Sequence, residues 1–285
     1  MSSGGTAPAA GDWRGRALGE RSVDYTERDA ILYALAVGAP ATELDLVYED
    51  RLRVLPAFAL TLAQWAPDAL GSLGAFDTRT AVHGAQRLTV LAPLPRAGTV
   101  TMAARVGAVW DKGSAAIFEV EVESEYFLAT WSLFAPGSGG FGGERGPAAP
   151  RPPQAPPDLR LTVETGPEQA ALYRLLGDRH AMHIDPAAAR ASGRPRPFLH
   201  GLCTLATVVR ALAGAADAHP AELSGFEGRF AAPVFPGDRL DVEAWREADG
   251  LRFEVRADGR PAVSGGRVGF REPLTNSPAA EGASR

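Results

Sequence analysis

Residues 200–216 read His-Gly-Leu-Cys-Thr-Leu-Ala-Thr-Val-Val-Arg-Ala-Leu-Ala-Gly-Ala-Ala. Leu202, Leu205, Val208, Val209 and Leu212 recur at helical spacing, so the stretch predicts one long, strongly apolar helix. Four strand-like runs follow it: Gly225 to Phe230, Arg239 to Arg246, Leu251 to Arg256 and Ala262 to Phe270. A second apolar stretch, Leu55 to Leu70, predicts another such helix. It too is followed by strands, Gln86 to Leu91, Val100 to Val109, Ala116 to Val122 and Phe127 to Phe134. In the third of these, Phe118, Val120 and Val122 alternate with Glu119, Glu121 and Glu123, the pattern of an antiparallel sheet with one wet face. A buried helix with a sheet wrapped around it, occurring twice, is an α+β arrangement.

The two halves repeat each other in detail. Thr26 and Asp29, then Leu32-Tyr33 and Gly38, parallel Thr165 and Glu168, then Leu172-Tyr173 and Gly177. Both openings have the form of a capping box. Ala92-Pro93 through Gly98 parallels Ala232-Pro233 through Gly237, and Phe118-Glu-Val120 parallels Phe253-Glu-Val255. The matches keep their order at separations of 139, 140 and 135 residues, which points to duplication. Between the halves lies a Gly-rich then Pro-rich stretch, Pro136 to Pro157, that can build neither a helix nor a central strand. The expected organisation is a disordered N-terminus at 1–21, a first unit at 22–135, a linker at 136–158, a second unit at 159–272 and a disordered C-terminus at 273–285.

Composition narrows the function classes. The 285 residues carry 29 basic and 34 acidic side chains, a net charge of −5, which argues against a nucleic-acid surface. No apolar run approaches the ~18 residues of a membrane span, and the first residues lack a secretory h-region. A soluble, cytoplasmic protein is expected. The single cysteine, Cys203, excludes an intramolecular disulfide and a cysteine zinc site.

Polar residues of reactive type collect in the second half. Tyr173-Arg-Leu-Leu-Gly177-Asp178-Arg179-His180-Ala181-Met182-His183-Ile184-Asp185 is followed by Arg196-Pro-Phe-Leu-His200-Gly201-Leu-Cys-Thr204. Asp178 and His183 fall in an irregular segment between helices, where side chains can converge on one water with groups that exchange protons near neutral pH. Gly201 opens the long helix, whose first amide has no partner within the helix and points along its positive end, so it suits a carbonyl that gains charge. Glycine there also lets a substrate come close to the backbone.

These paired motifs resemble the MaoC-like family of R-specific enoyl-CoA hydratases in its double hotdog form, over about Val23 to Arg271. The resemblance implies two hotdog repeats, each an antiparallel sheet wrapped around a long central helix. It implies that Asp178 and His183 form the catalytic dyad and that Gly201 supplies the oxyanion-hole amide. The implied reaction is reversible syn hydration of a trans-2-enoyl thioester to a (3R)-3-hydroxyacyl thioester, with no cofactor and no metal beyond the coenzyme A or acyl carrier protein that bears the acyl group. His180, Tyr173, Arg179, Arg196 and His200 are expected to contact substrate. In the first half, Gly38-Ala39 stands for Gly177-Asp178 and Leu44 for His183, so that half keeps the scaffold without the dyad and is expected to house the acyl chain. The chain departs from the family where His180 replaces an Asn, Ala181 replaces a Pro and Arg194 precedes Pro195.

Three other readings compete with hydration of the CoA ester: a dehydratase acting on an acyl-carrier-protein substrate, a hotdog thioesterase and a non-catalytic acyl-binding protein. The sequence leaves open whether chains pair into a homodimer. Asp178, His180 and His183 could ligate a metal, but no further cluster completes such a site. Gly137-Ser-Gly139-Gly-Phe-Gly142 fits a dinucleotide fingerprint, yet prolines forbid the helix that must follow, so a loop near the active-site mouth is expected instead. His83-Gly84 is expected to be structural, and Phe58 and Trp65 to be core.

Overall fold

The computed structural model describes residues 8–271. The first half runs β1 (Ala17–Tyr25), α1 (Glu27–Ala36), α2 (Leu44–Val47), α3 (Ala59–Leu62), α4 (Trp65–Ser72), β2 (Val82–Val90), β3 (Gly98–Asp111), β4 (Ala115–Glu123) and β5 (Phe127–Pro136). The second half runs β6 (Leu159–Glu164), α5 (Gln169–Tyr173), α6 (Pro186–Ala191), α7 (Gly201–Ala215), β7 (Leu223–Phe230), β8 (Arg239–Glu247), β9 (Gly250–Ala257) and β10 (Arg260–Phe270).

All ten strands form one antiparallel sheet in the order β1-β3-β4-β5-β2-β7-β10-β9-β8-β6. The order is a palindrome: five strands of one half face their counterparts in the other across the β2–β7 pair. That joint is tight at Gly225, where a Cβ would lie 2.6 Å from the carbonyl oxygen of Leu88. This is the double hotdog fold. In β4, Phe118, Val120 and Val122 are buried while the three glutamates face outward, as their alternation requires. Helix α7 is the buried axis of the second half, with Leu205, Val208 and Leu212 fully enclosed, and it packs on β6, β7 and β10. Among the described residues, no helix is long and apolar enough to cross a membrane.

Several expectations need correction. Residues 8–21 are ordered: a 3-10 turn at Ala10–Trp13 buries Trp13, and β1 begins at Ala17, pairs with β3 and forms one edge of the sheet. The disorder expected at 1–7 and 272–285 lies outside the described residues. The apolar stretch 55–70 is not one helix but a 3-10 turn (Pro56–Phe58) followed by α3 and α4. Pro67 has no N–H to give the carbonyl of Ala63 and its ring crowds that group, so the chain breaks there and Pro67 sits in the first turn of α4. Thr26 makes its predicted contact, its N–H and hydroxyl both donating to Asp29 Oδ2 (2.9 and 2.7 Å). Thr165 does not cap α5; its hydroxyl donates to the carbonyl of Asp238 (2.8 Å), and Gln169 Oε1 accepts from the Gly166 N–H instead.

The Gly-rich loop lies against the first half's β3–β4 hairpin rather than at a pocket mouth. The N–H groups of Gly140 and Gly142 donate to the buried carboxylate of Asp111 at 2.9 and 2.8 Å, so the amides a phosphate would need are already spent. With four such backbone donors around it, Asp111 is held at a pKa of about 2.

Candidate active site

The segment from Gly177 to Asp185 is irregular but pinned at both ends. At its start Gly177 adopts φ +132°, a conformation other residues avoid, which turns the chain out of the 3-10 turn that follows α5. Its counterpart Gly38 has φ +82° after α1, so the repeat extends to backbone conformation. At its end Asp185 caps α6, its Oδ1 accepting from the Ala187 N–H at 2.7 Å, and Pro186 occupies the first helical position. Between these anchors the side chains of Asp178, His180 and His183 project.

His183 is buried, and its Nδ1 lies 2.8 Å from the carbonyl oxygen of Phe198. A carbonyl only accepts, so Nδ1 carries the hydrogen and Nε2 keeps a lone pair. Burial lowers the pKa of His183 despite the opposing pull of Asp178, so the ring is neutral at pH 7 and able to take a proton. His200 stacks on it, centroids 3.8 Å apart and planes 30° apart. The Nε2 of His200 donates to the backbone carbonyl of Asp178 (3.1 Å), which ties the reactive segment to the start of α7. Burial and then His183 push the pKa of His200 down to about 3.

Burial alone would raise the pKa of Asp178. The hydrogen bond from His180, aided by His200, His180 and His183, the first and last of which carry charge only once protonated at low pH, outweighs it and holds the carboxyl well below the usual range. Asp178 Oδ1 accepts from His180 Nδ1 at 2.5 Å and from the His180 N–H at 3.2 Å. An anionic carboxylate thus lies beside a neutral imidazole with one free nitrogen. His200, which stacks on His183, immediately precedes Gly201, whose N–H opens α7; a Cβ on Gly201 would come within 3.0–3.1 Å of the Phe230 ring.

The remaining predicted residues are placed differently. Tyr173 and His200 are each only 2% exposed. They belong to a column of rings, Tyr33–Tyr173–His200–His183, with successive centroids 6.1, 4.8 and 3.8 Å apart. The column carries rigidity from α1 of the first half to His183. Arg196 is exposed but engaged, stacked over Phe235 (4.6 Å) and 3.5 Å from the buried carboxylate of Asp238. Arg179 is exposed beside Asp178 and outside the cluster. His83 of β2, read from the sequence as structural, packs its ring against Phe230 at 4.9 Å; Asp68 of α4, which sequence reasoning did not single out, acts by its charge on His180. In the first half Ala39 and Leu44 offer no acid or base at the matching positions.

Asp178, His183 and His200 each present one ligand atom, all within 4.8 Å of one another.

Two buried histidines with lowered pKa values make stability pH-dependent. Their ordinary value is 6.5, so below that pH the unfolded chain binds protons that the folded chain refuses. Stability is full above about pH 6.5 and falls as the pH drops toward the folded values. His180, whose pKa is raised, opposes this only weakly and at the upper end. A melting temperature lower by roughly 5 °C or more at pH 5 than at pH 7.5 is expected in scanning calorimetry. A flat profile would mean that these rings are solvated.

Known proteins resemble this chain over both of its halves. Residues 148–260 match the model of the MaoC like domain, and residues 23–128 that of the MFE-2 hydratase 2 N-terminal domain. The chain is 38% identical to 3-hydroxyacyl-thioester dehydratase Y of Mycobacterium tuberculosis, over 87% of this chain and 93% of the relative. The chain belongs to the MaoC-like hydratase and dehydratase family. Enoyl-CoA hydratase ChsH3 of the same organism is 36% identical, over 83% of this chain and 88% of the relative. A MaoC-like dehydratase from Phytophthora capsici superposes with a TM-score of 0.83 at 25% identity, covering 95% of this chain and all of that one. As a MaoC-like protein the chain pairs a half that carries the Asp–His cluster with one that lacks it.

Proposed function

We propose that this MaoC-like protein is a hydro-lyase that adds water reversibly to trans-2-enoyl-CoA, giving (3R)-3-hydroxyacyl-CoA, in fatty-acyl metabolism. The observation that carries the reading is the fixed tautomer of His183: a buried, neutral imidazole with a free Nε2, next to an anionic Asp178 and the open end of α7.

In this mechanism a water lies between Asp178 and His183. Asp178 accepts one of its hydrogens and orients its lone pair. Nε2 of His183 takes the other as the oxygen bonds to C3 and the π electrons move toward the thioester carbonyl. The N–H of Gly201, at the positive end of α7, donates to the developing oxyanion. His183, now an imidazolium stabilised by Asp178, returns the proton to C2. One C–O and one C–H bond form, the C=C π bond is lost, and no net proton is released. Because a single cluster delivers both water and proton, addition is syn. The chemistry draws on no cofactor besides the carrier that bears the acyl group, and the half without the dyad receives the acyl chain.

Dehydration is the same path reversed. A thioesterase would direct a carboxylate at C1, whereas Asp178 is clamped by His180 beside an acid–base histidine. Loss of enoyl-thioester absorbance with crotonyl-CoA and a medium-chain enoyl-CoA tests the reading. Turnover without release of free coenzyme A is expected; release of the thiol would mark a thioesterase, and tight binding without turnover a carrier.

A further inference from the structure

Where the family has an asparagine this chain has His180, and the structure gives that histidine specific work. Its Nδ1 and its backbone N–H both reach the same oxygen, Asp178 Oδ1. The side chain is 54% exposed while that of Asp178 is only 18% exposed, so His180 covers the carboxylate on its solvent side. We propose that His180 is a positioning residue that clamps the Asp178 carboxylate.

The physical case rests on what each partner lacks alone. Asp178 is largely enclosed, and a lone carboxylate there would rotate and be partly protonated. A short charge-assisted bond to His180 fixes one oxygen and leaves the other to face the water. The hydrogen bond with Asp178 raises the pKa of His180 against the effect of partial burial, and the charges of Asp178 and Asp68 add to it. The other groups that face this pair are His183 and His200, both kept neutral by burial, and His83 on β2, held at about 4 by burial. None of them supplies a competing positive charge at neutral pH. An asparagine in this place could orient Asp178 but would bring no charge.

Two measurements on the full chain test this, and only the second rests on the hydratase reading. In the first, imidazole NMR follows the five histidines through pH. One resonance that disappears in His180→Asn should titrate above the ordinary value. Its midpoint should fall in Asp178→Asn. A His180 midpoint unmoved in that variant overturns the clamp. In the second, with enoyl-CoA, His180→Ala should lower kcat roughly 10- to 100-fold with KM within about threefold, the cost of a misplaced catalytic group. Its acid limb should shift to higher pH, since Asp178 loses the partner that keeps it ionised. His180→Asn should recover most of kcat at pH 8 while the acid limb stays shifted. Unchanged kcat and an unchanged limb in folded His180→Ala overturn the clamp. Absence of turnover in the wild type would strike the hydratase reading and leave the NMR result to decide this one.

Discussion

Asp178→Asn and His183→Ala are each expected to lower kcat for hydration of crotonyl-CoA by roughly 10²- to 10⁴-fold, the usual contribution of a positioned acid–base group. Binding should change little. His183 is packed between Phe198 and His200 and Asp178 sits in an irregular segment anchored by Gly177 and Asp185, so a thermal melt of each variant accompanies its rate. The two act on one water and one proton, so the double variant should be scarcely slower than the worse single one. Stopped assays with each variant at the wild-type pH optimum check this. A loss below tenfold in either would remove that residue from the chemistry.

The second large effect falls on stability. Leu205 is fully enclosed on α7, and its side chain packs against β7 at Gly228. Leu205→Ala would leave a cavity beneath the sheet and is expected to cost roughly 2–5 kcal/mol. For a chain of this size that is a melting-temperature loss of about 5–15 °C. Leu35→Ala, at a side chain 39% exposed on α1, serves as the control and should cost less than about 1 kcal/mol. Equal losses in both would mean that α7 is not the axis of the second half.

How much of this could be read from the chain varied by element. The helix at Gly201–Ala215 and the eight inner strands were legible because burial on one side imposes periodicity on the residues themselves. The edge strand β1 was not. Along β1 the residues Gly19, Glu20, Arg21 and Ser22 are all exposed, so no alternation marks it, and only the distant pairing with β3 makes it a strand. The break at Pro67 was written in the sequence but lost to a strong apolar pattern around it. At the site, the spacing from Asp178 to His183 and the His200-Gly201 pair were local signals. The ring column was not, because Tyr33 lies far from Tyr173 in sequence and reaches it only through the packing of α1 on α5. Asp68, whose charge acts on His180, was hidden because the two lie far apart in the sequence. Tyr173 and His200, expected to contact substrate, are buried in the folded chain, a property no local sequence signal carries.

Hydration of crotonyl-CoA in heavy water, with chiral separation of the product and NMR at C2, tests the central claim most directly. A single cluster on one face of the double bond predicts only the (3R) alcohol, with deuterium at C2 delivered to the same face as the hydroxyl. A (3S) or racemic product, or deuterium on the opposite face, would contradict it.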